Sequence, residues 1–129
     1  MKIIVAPQSF KGSLSAKEAT LIISQSVSEI FPDSDIVQIP IADGGDGTLE
    51  TIIDATDGEI TTAPVNGPLN DKIYASWGLF DSADSKKTAI IEMARSSGLA
   101  LLDPENLNPY IATTYGTGEL ILELSLIHI

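Results

Sequence analysis

The sequence predicts an α/β protein whose first part alternates strands with helices and whose second part is richer in strands. Three observations lead to this class. In the first 57 residues, an apolar β-type run is followed by turn residues and then by helical periodicity, and this happens twice. After residue 58, β-rich runs follow one another with only short turns between them. No internal repeat or low-complexity segment interrupts the pattern.

The first part is predicted as strand 2–6, helix 15–30, strand 36–41 and helix 47–56. Such an alternation implies two parallel strands joined by a right-handed crossover. The first helix has a clear start signal, because Ser15 followed three residues later by Glu18 forms a capping box. Its core-facing side is predicted from helical spacing to contain five residues: Ala19, Ile22, Ile23, Val27 and Ile30.

The second part is predicted to contain strands at 59–65, 72–79 and 88–93, with a turn at 66–70 between the first two. Residues 96–98 break the chain, and the last helix is predicted to begin near Thr117. The aromatic side chains of Trp77 and Phe80 are interpreted as core or interface residues rather than as ligand-stacking groups. A domain boundary is predicted near residue 58.

The composition excludes several classes of function. With 18 acidic and 7 basic residues among 129, the net charge of −11 argues against sequence-independent nucleic-acid binding and against anionic membrane surfaces. The absence of cysteine excludes disulfides and thiolate chemistry and is compatible with a cytoplasmic location. No apolar run approaches the length of a membrane span, and residues 1–5 are too short a run for a signal peptide.

The most informative segment is 41–48, which we call the carboxylate loop. It places Asp43 and Asp46 between a predicted strand and a predicted helix, together with three glycines and a hydroxyl: Gly44, Gly45, Gly47 and Thr48. Glycines let the backbone turn sharply and approach a ligand, and a helix start attracts anions. A carboxylate in this place can hold Mg²⁺ or accept a proton. The alternative is a tight turn in which Asp46 only favours the helix start.

A second segment of similar construction, 7–13, is called the lysine loop. It follows the first predicted strand, precedes the first predicted helix, and contains Ser9, Lys11, Gly12 and Ser13. In open α/β sheets, ligands bind beyond the carboxyl ends of the strands. The two loops are therefore predicted to face one crevice, with a cation on one and two carboxylates on the other.

Further candidates lie later in the chain. Glu92 follows two apolar residues of a predicted strand, where a carboxylate is either paired or exposed on the opposite face. Arg95 is suited to binding a substrate carboxylate bidentately, and a surface salt bridge is the alternative. Segment 113–118 is interpreted as a third anion-binding turn using Thr114, Gly116 and Thr117, or as a plain helix cap at Thr117.

Four blocks in order resemble the bacterial glycerate kinases of type I, which include the glycerate 2-kinases. The blocks are 6–16 (Ala-Pro-Gln-Ser-Phe-Lys-Gly-Ser-Leu-Ser-Ala), 40–48 (Pro-Ile-Ala-Asp-Gly-Gly-Asp-Gly-Thr), 92–94 and 97–99 with Asn108-Pro109, and 113–120. The resemblance covers residue 1 to about residue 123. Two positions depart from the family pattern: Gln8 stands where Asp is usual, which removes a possible ligand or base, and Asp46 stands where Glu is usual.

The resemblance implies an ATP- and Mg²⁺-dependent kinase that phosphorylates a hydroxyl of D-glycerate to give 2- or 3-phosphoglycerate. No P-loop sequence is present. Asp43 is the first candidate for metal ligand or general base, with Asp46 in support, and Lys11 is the candidate for neutralising phosphoryl or carboxylate charge. The loop hydroxyls and N–H groups orient oxygens. The rival hypotheses are a phosphatase or mutase acting on phosphorylated hydroxy acids, and a non-catalytic anion-binding domain.

The resemblance also implies two α/β domains, one Rossmann-like and completed by later chain, the other inserted within it. On this basis 1–57 is predicted as the start of the Rossmann-like domain and 58–123 as the start of the second, giving an incomplete fold. Residues 124–129 depart from the family pattern and are interpreted as a non-native tail that includes His128. The chain is therefore expected to be an N-terminal fragment of a longer enzyme and to be inactive alone.

Overall fold

The structure, a computed structural model, describes residues 1–126, and the chain divides into two units, Met1–Thr51 and Ile52–Ile129. The predicted boundary near residue 58 stays a prediction. The interpretation of His128 as a tail residue concerns a position outside the described range. Within residues 1–126, no helix has the length and apolarity that crossing a membrane requires.

The first unit contains the predicted strand–helix alternation. It is built from β1 (Lys2–Val5), α1 (Ala16–Ile30), β2 (Asp35–Gln38) and the beginning of α2 (Thr48–Thr56). The strands are parallel, in a register that runs from Lys2 opposite Asp35 to Val5 opposite Gln38. The α/β class predicted from the sequence is therefore confirmed.

The parallel pairing continues past the ends of both strands. The backbone N–H of Ile39 donates to the carbonyl of Val5 at 2.9 Å, and the N–H of Ile41 donates to the carbonyl of Pro7 at 3.0 Å. Since proline has no N–H, Pro7 takes part only through its carbonyl. These bonds carry the two chain segments side by side to the points where the lysine loop and the carboxylate loop begin.

The predicted capping box at the start of α1 is present. The Ser15 hydroxyl accepts a bond from the Glu18 N–H at 3.2 Å, and the Glu18 carboxylate accepts bonds from the N–H and the hydroxyl of Ser15 at 2.9 and 2.7 Å. The backbone N–H of Ser15, followed by its hydroxyl, holds the pKa of the Glu18 carboxyl below its usual value. The start of α1 is therefore fixed immediately after the lysine loop.

The side of α1 that is buried differs in part from the prediction, which is confirmed at Ala19. The buried residues are small ones at helical spacing, namely Ala16, Ala19, Thr20 and Ser24. Ile22 and Ile30, predicted to face the core, are 49% and 71% exposed. Two strands lie only about 4.8 Å apart, so they cover a narrow part of a helix surface, and small side chains permit the close approach there. The larger apolar residues lie beyond the area that two strands cover.

The second unit is an antiparallel sheet with helices. Its strands are β3 (Glu59–Asn66), β4 (Lys72–Asp81) and β5 (Lys87–Ile91), in the order β3-β4-β5. After β5 come the single-turn helix α3 (Ala94–Ser97), 3₁₀ turns at Leu99–Leu101 and Pro104–Asn106, and helix α4 (Tyr115–Leu126). All three predicted strands are present. The last helix begins at Tyr115, two residues before the predicted Thr117, because the Thr113 side chain accepts a bond from the Tyr115 N–H.

The core of this unit lies between the sheet and α4. Alternate residues of β3 and β4 point to one face, as the two-residue period of a strand requires, and α4 contributes Leu120 and Leu124. Trp77 is 6% exposed and belongs to this cluster, which confirms its interpretation as a core residue. The buried strand positions that α4 covers are Ala63, Val65, Ala75 and Trp77.

One end of α4 is attached to the end of β3 by polar contacts. The Glu119 carboxylate accepts bonds from the backbone N–H of Asn66 at 2.6 Å and from its side-chain Nδ2 at 3.0 Å. Lys72 Nζ lies 3.7 Å from the same carboxylate. Gly116 lies against this strand end, where a Cβ built on it would overlap the carbonyl oxygen of Asn66. Glycine at 116 therefore permits the backbones of α4 and β3 to approach closely.

We predict that Gly116→Ala lowers the free energy of unfolding of the full-length protein carrying this chain. Overpacking of this kind costs about 1–3 kcal/mol or more. Gly118→Ala is the matched control, because a Cβ there meets nothing within 4 Å and alanine is favoured over glycine in a helix by about 1 kcal/mol. Urea unfolding of both variants checks this, and equal stability of the two would contradict the close approach of α4 and β3.

Candidate functional site

The carboxylate loop is held by three short hydrogen bonds of its own. Asp43 Oδ1 accepts the N–H of Gly45 at 2.9 Å, and Thr48 Oγ1 accepts the N–H of Gly44 at 3.0 Å. The N–H of Thr48 donates to the carbonyl of Gly45 at 3.1 Å. Gly44 and Gly47 have φ values of +92° and +90°, which only glycine adopts without strain.

These bonds determine which charge the carboxylate loop can bind. The N–H groups of Gly44 and Gly45 were predicted to orient anionic oxygens, but both are used within the loop. The Asp43 carboxylate is exposed and fixed in orientation by the Gly45 N–H. A carboxylate held in this way attracts a cation or accepts a proton, so the loop is better suited to those tasks than to holding phosphate.

The lysine loop forms a tight turn. The N–H of Ser13 donates to the carbonyl of Phe10 at 2.8 Å, and Phe10 and Leu14 exchange backbone bonds at 2.8 and 3.1 Å. Gly12 has a φ of +71° within this turn. Lys11 lies at the turn apex and is exposed. The turn therefore presents a positive charge at the exit of β1.

The structure brings these two loops to the same edge of the parallel strand pair. The bond from Ile41 N to Pro7 O is the last rung of the pairing, and it joins the first residue of each loop. The predicted residues of these loops are all in the first unit: Ser9, Lys11, Gly12, Ser13, Asp43, Gly44, Gly45, Asp46, Gly47 and Thr48. The side chains of Ser9, Ser13 and Asp46 are exposed, and their roles as ligands remain predictions.

The described residues contain no group of three or more histidine, cysteine or acidic side chains arranged to hold a metal ion. Magnesium in kinases is usually bound by one or two carboxylates, with waters and substrate phosphates completing its coordination. The oriented Asp43 carboxylate fits that limited requirement. It does not fit a metal held entirely by the protein.

In the second unit, Glu92 and Arg95 form a pair. Glu92 is 3% exposed, and its Oε1 lies 3.4 Å from Arg95 Nε. The expectation that a carboxylate at 92 is paired is therefore met. For Arg95 the structure shows a salt bridge within one turn of chain, although its partner is buried rather than on the surface. Binding of a substrate carboxylate by Arg95 stays a prediction.

Thr117 connects α3 with α4 through hydroxyl groups. Its Oγ1 lies 2.8 Å from Ser96 Oγ and 2.9 Å from Ser97 Oγ. Ser96 Oγ donates to the carbonyl of Met93 at 3.3 Å. Since each hydroxyl has one proton, Thr117 donates to Ser96 and accepts from Ser97. Its proton is thus used within the protein. The alternative interpretation of Thr117 as a helix cap is wrong, because Thr117 lies inside α4.

The rest of segment 113–118 serves the start of α4. The Thr113 hydroxyl accepts the N–H of Tyr115 at 3.1 Å, and the carbonyl of Thr114 accepts the N–H groups of Thr117 and Gly118 at 3.1 and 3.4 Å. Gly116 is buried against β3. These contacts explain the local composition structurally, and ligand binding by Thr114 and Gly116 remains a prediction.

Comparison with known proteins identifies the relatives of this chain. The family model described as "Glycerate kinase family" matches residues 3–126. The chain belongs to the glycerate kinase family. It is 50% identical to a glycerate kinase of Haemophilus influenzae over 94% of the chain, and 52% identical to a glycerate 2-kinase of Escherichia coli over 95%. It spans about a third of the length of these curated relatives, 31% and 32% respectively.

A crystal structure from Salmonella typhimurium LT2, reported as a glycerate kinase 2, has the same fold over most of this chain. The TM-score is 0.71 with 46% sequence identity, and the match covers 95% of this chain and 32% of the other. The resemblance to the glycerate kinases seen in the sequence blocks is therefore confirmed.

Sequence reasoning did not find several contacts that shape these loops and turns. The hydroxyl groups of Ser96 and Ser97 and the Glu119–Asn66 bonds had no local signal, since they join residues 20 or more positions apart. The Asp43–Gly45 bond did have one, because an aspartate two residues before a glycine N–H is typical of an Asx turn. The pairing of Pro7 with Ile41 follows from extending the strand register by one rung.

We predict that Thr117→Val destabilises the full-length protein, while Thr117→Ser retains most of the stability. Valine removes the acceptor of the Ser97 hydroxyl and the donor to the buried Ser96 hydroxyl, and an unsatisfied buried polar group costs about 1–3 kcal/mol. Urea unfolding, with KM for glycerate and for ATP measured in parallel, checks this. Unchanged stability with a raised KM would show that Thr117 is a ligand instead.

Proposed function

We propose that the full-length protein carrying this chain transfers a phosphoryl group from ATP to a hydroxyl of D-glycerate. Membership of the glycerate kinase family supports this reaction. The structural observation that carries the proposal is the Ile41–Pro7 rung, which puts a lysine-bearing loop beside a carboxylate-bearing loop. Because the Escherichia coli relative is named glycerate 2-kinase, we take the 2-hydroxyl as the acceptor, and NMR of the product distinguishes 2- from 3-phosphoglycerate.

Asp43 is assigned as the residue that accepts the hydroxyl proton or helps to hold Mg²⁺. Phosphoryl transfer requires an aligned nucleophile and neutralisation of phosphate charge. The Gly45 N–H fixes one oxygen of the carboxylate, which reduces the reorganisation needed when a proton or a cation arrives. When bound, Mg²⁺ would neutralise phosphate oxygens. Asp46, three residues later and exposed, adds negative charge to the same loop.

Lys11 is assigned to the anionic groups of the reaction. The lysine loop holds it at the apex of a turn closed by backbone bonds between Phe10 and Leu14. In a chain of net charge −11, a cation at the exit of β1 provides local attraction for phosphate or carboxylate oxygens. Ser9 and Ser13 offer hydroxyl donors in the same loop. The lysine loop is thus assigned to the anionic groups, and the carboxylate loop to the proton or the cation.

The remaining predicted ligands lie in the second unit. Arg95, oriented by the buried Glu92, is assigned to a carboxylate or phosphate oxygen of a ligand. Thr114, Gly116 and Thr117 are retained only as supporting positions, since their contacts serve α4. The chain spans about a third of its relatives' length, so the use of ATP and the cytoplasmic location stay predictions.

We predict that Asp43→Asn keeps the fold and loses most of the rate in the full-length enzyme. Asparagine Oδ1 can still accept the Gly45 N–H, so the loop keeps its shape, while the charge and the basicity are removed. General-base catalysis contributes roughly 10²–10⁴-fold. The matched control is Asp33→Asn, which removes the same charge in the turn before β2, at the opposite edge of the strand pair. Equal turnover of both variants and the wild type would contradict the assignment.

We predict that Lys11→Met also lowers kcat/KM by a large factor, because the positive charge is lost while the apolar stem is kept. Loss of one group that stabilises developing charge typically costs about 10²–10³-fold. Lys17→Met, six residues later on α1, is the control for removal of a nearby charge. The measurement is steady-state kinetics with D-glycerate and ATP. Hydrolysis of phosphoglycerate by the wild type, without ATP-dependent synthesis, would refute the kinase proposal itself.

A further inference from the structure

The carboxylate loop contains two consecutive glycines that need an external constraint. Gly44 and Gly45 have no Cβ to restrict their backbone angles, and glycine loses more conformational freedom on folding than any other residue. Asp43 takes its orientation from the Gly45 N–H. The position of that N–H therefore decides where the Asp43 carboxylate lies.

Thr48 makes a bond to each of these glycine residues. Its Oγ1 accepts the Gly44 N–H at 3.0 Å, and its backbone N–H donates to the Gly45 carbonyl at 3.1 Å. Thr48 is the first residue of α2, and its neighbour Leu49 is fully buried. The threonine thus links the buried start of α2 to the two consecutive glycines of the carboxylate loop.

We propose that Thr48 is a positioning residue for Asp43 and not a ligand for phosphate. This inference rests on the proposed function, in which Asp43 accepts the proton or helps to hold Mg²⁺. The bond from the Gly44 N–H uses a lone pair of the Thr48 side-chain oxygen and does not use the hydroxyl proton, so the positioning role rests on this bond and a ligand role is tested by the KM measurements. The Thr48 side chain fixes the Gly44 peptide, and this peptide fixes the position of the adjoining Gly45 N–H. The Gly45 N–H in turn sets the orientation of the Asp43 carboxylate.

The test uses three variants of Thr48 in the full-length enzyme. Thr48→Val removes the accepting oxygen and keeps the β-branch, whereas Thr48→Ala removes both. Thr48→Ser keeps the oxygen and removes only the methyl group. We expect kcat to fall on the order of 10–100-fold in the first two, because a small misplacement of a catalytic group costs up to about 10²-fold. KM for D-glycerate and for ATP should change by less than about threefold, since no substrate contact is lost. Serine should restore most of kcat.

The matched control is Thr51→Val on the same helix. The Thr51 hydroxyl donates to the Gly47 carbonyl at 2.8 Å, but the Thr51 N–H donates to the same carbonyl at 3.2 Å. Removing this hydroxyl leaves the helical bond in place, so kcat should stay within about twofold of wild type. A loss of kcat equal to that of Thr48→Val would show a general effect on α2 and would overturn the proposal.

A measurement independent of turnover separates this inference from the proposed function. Amide hydrogen exchange in segment 41–48 should be faster in Thr48→Val and Thr48→Ala than in wild type, and it should return towards wild type in Thr48→Ser. Unchanged exchange would overturn the positioning role. A raised KM at unchanged kcat would do so as well, because it would make Thr48 a ligand. If the wild type makes no phosphoglycerate, the proposed function fails. The exchange measurement still decides whether Thr48 orders segment 41–48.

Discussion

The pairing of β1 with β2 is the constraint on which the candidate site depends. Four residues in each strand are in register, and the pairing continues through Val5 and Pro7 until Ile41 has made its bond. Two loops that are about 30 residues apart in the chain thereby begin side by side. No side chain takes part in these rungs, so the adjacency of the lysine loop and the carboxylate loop is a property of the backbone. The side chains only decide what chemistry this adjacency can support.

At both strand-to-helix turns, backbone N–H groups bond to oxygens of the protein itself. The capping box supplies a carboxylate for the start of α1, so this helix start is already occupied by Glu18. In the carboxylate loop, the glycine N–H groups hold protein oxygens instead of ligand oxygens. Both strand-to-helix turns therefore differ from the phosphate-binding turns that glycine-rich loops often form. In the proposed function, anion binding at this edge is therefore assigned to the Lys11 side chain rather than to the backbone.

Much of the fold follows from local patterns in the sequence. Strands and helices were predictable where the apolar period was regular, and the capping box and the Asp-Gly-Gly turn have local signals. The side of α1 that is buried was not predictable from spacing, because spacing identifies an apolar face but not how much of it two strands can cover. The same limit applies to Thr117. Its hydroxyl bonds to Ser96 and Ser97 depend on how α3 meets α4, and nothing near residue 117 in the sequence encodes that meeting.

The contact between Glu119 and Asn66 has a consequence for the order of events during synthesis of the protein. These residues are 53 positions apart, whereas β3 and β4 are joined by a short turn and can pair as soon as both have left the ribosome. Until α4 has been synthesised, water is the acceptor available to the Asn66 N–H in place of the Glu119 carboxylate. We therefore expect the antiparallel strands to pair before α4 covers the apolar face of the sheet. Chaperones that bind exposed apolar surface would meet this unit during that interval.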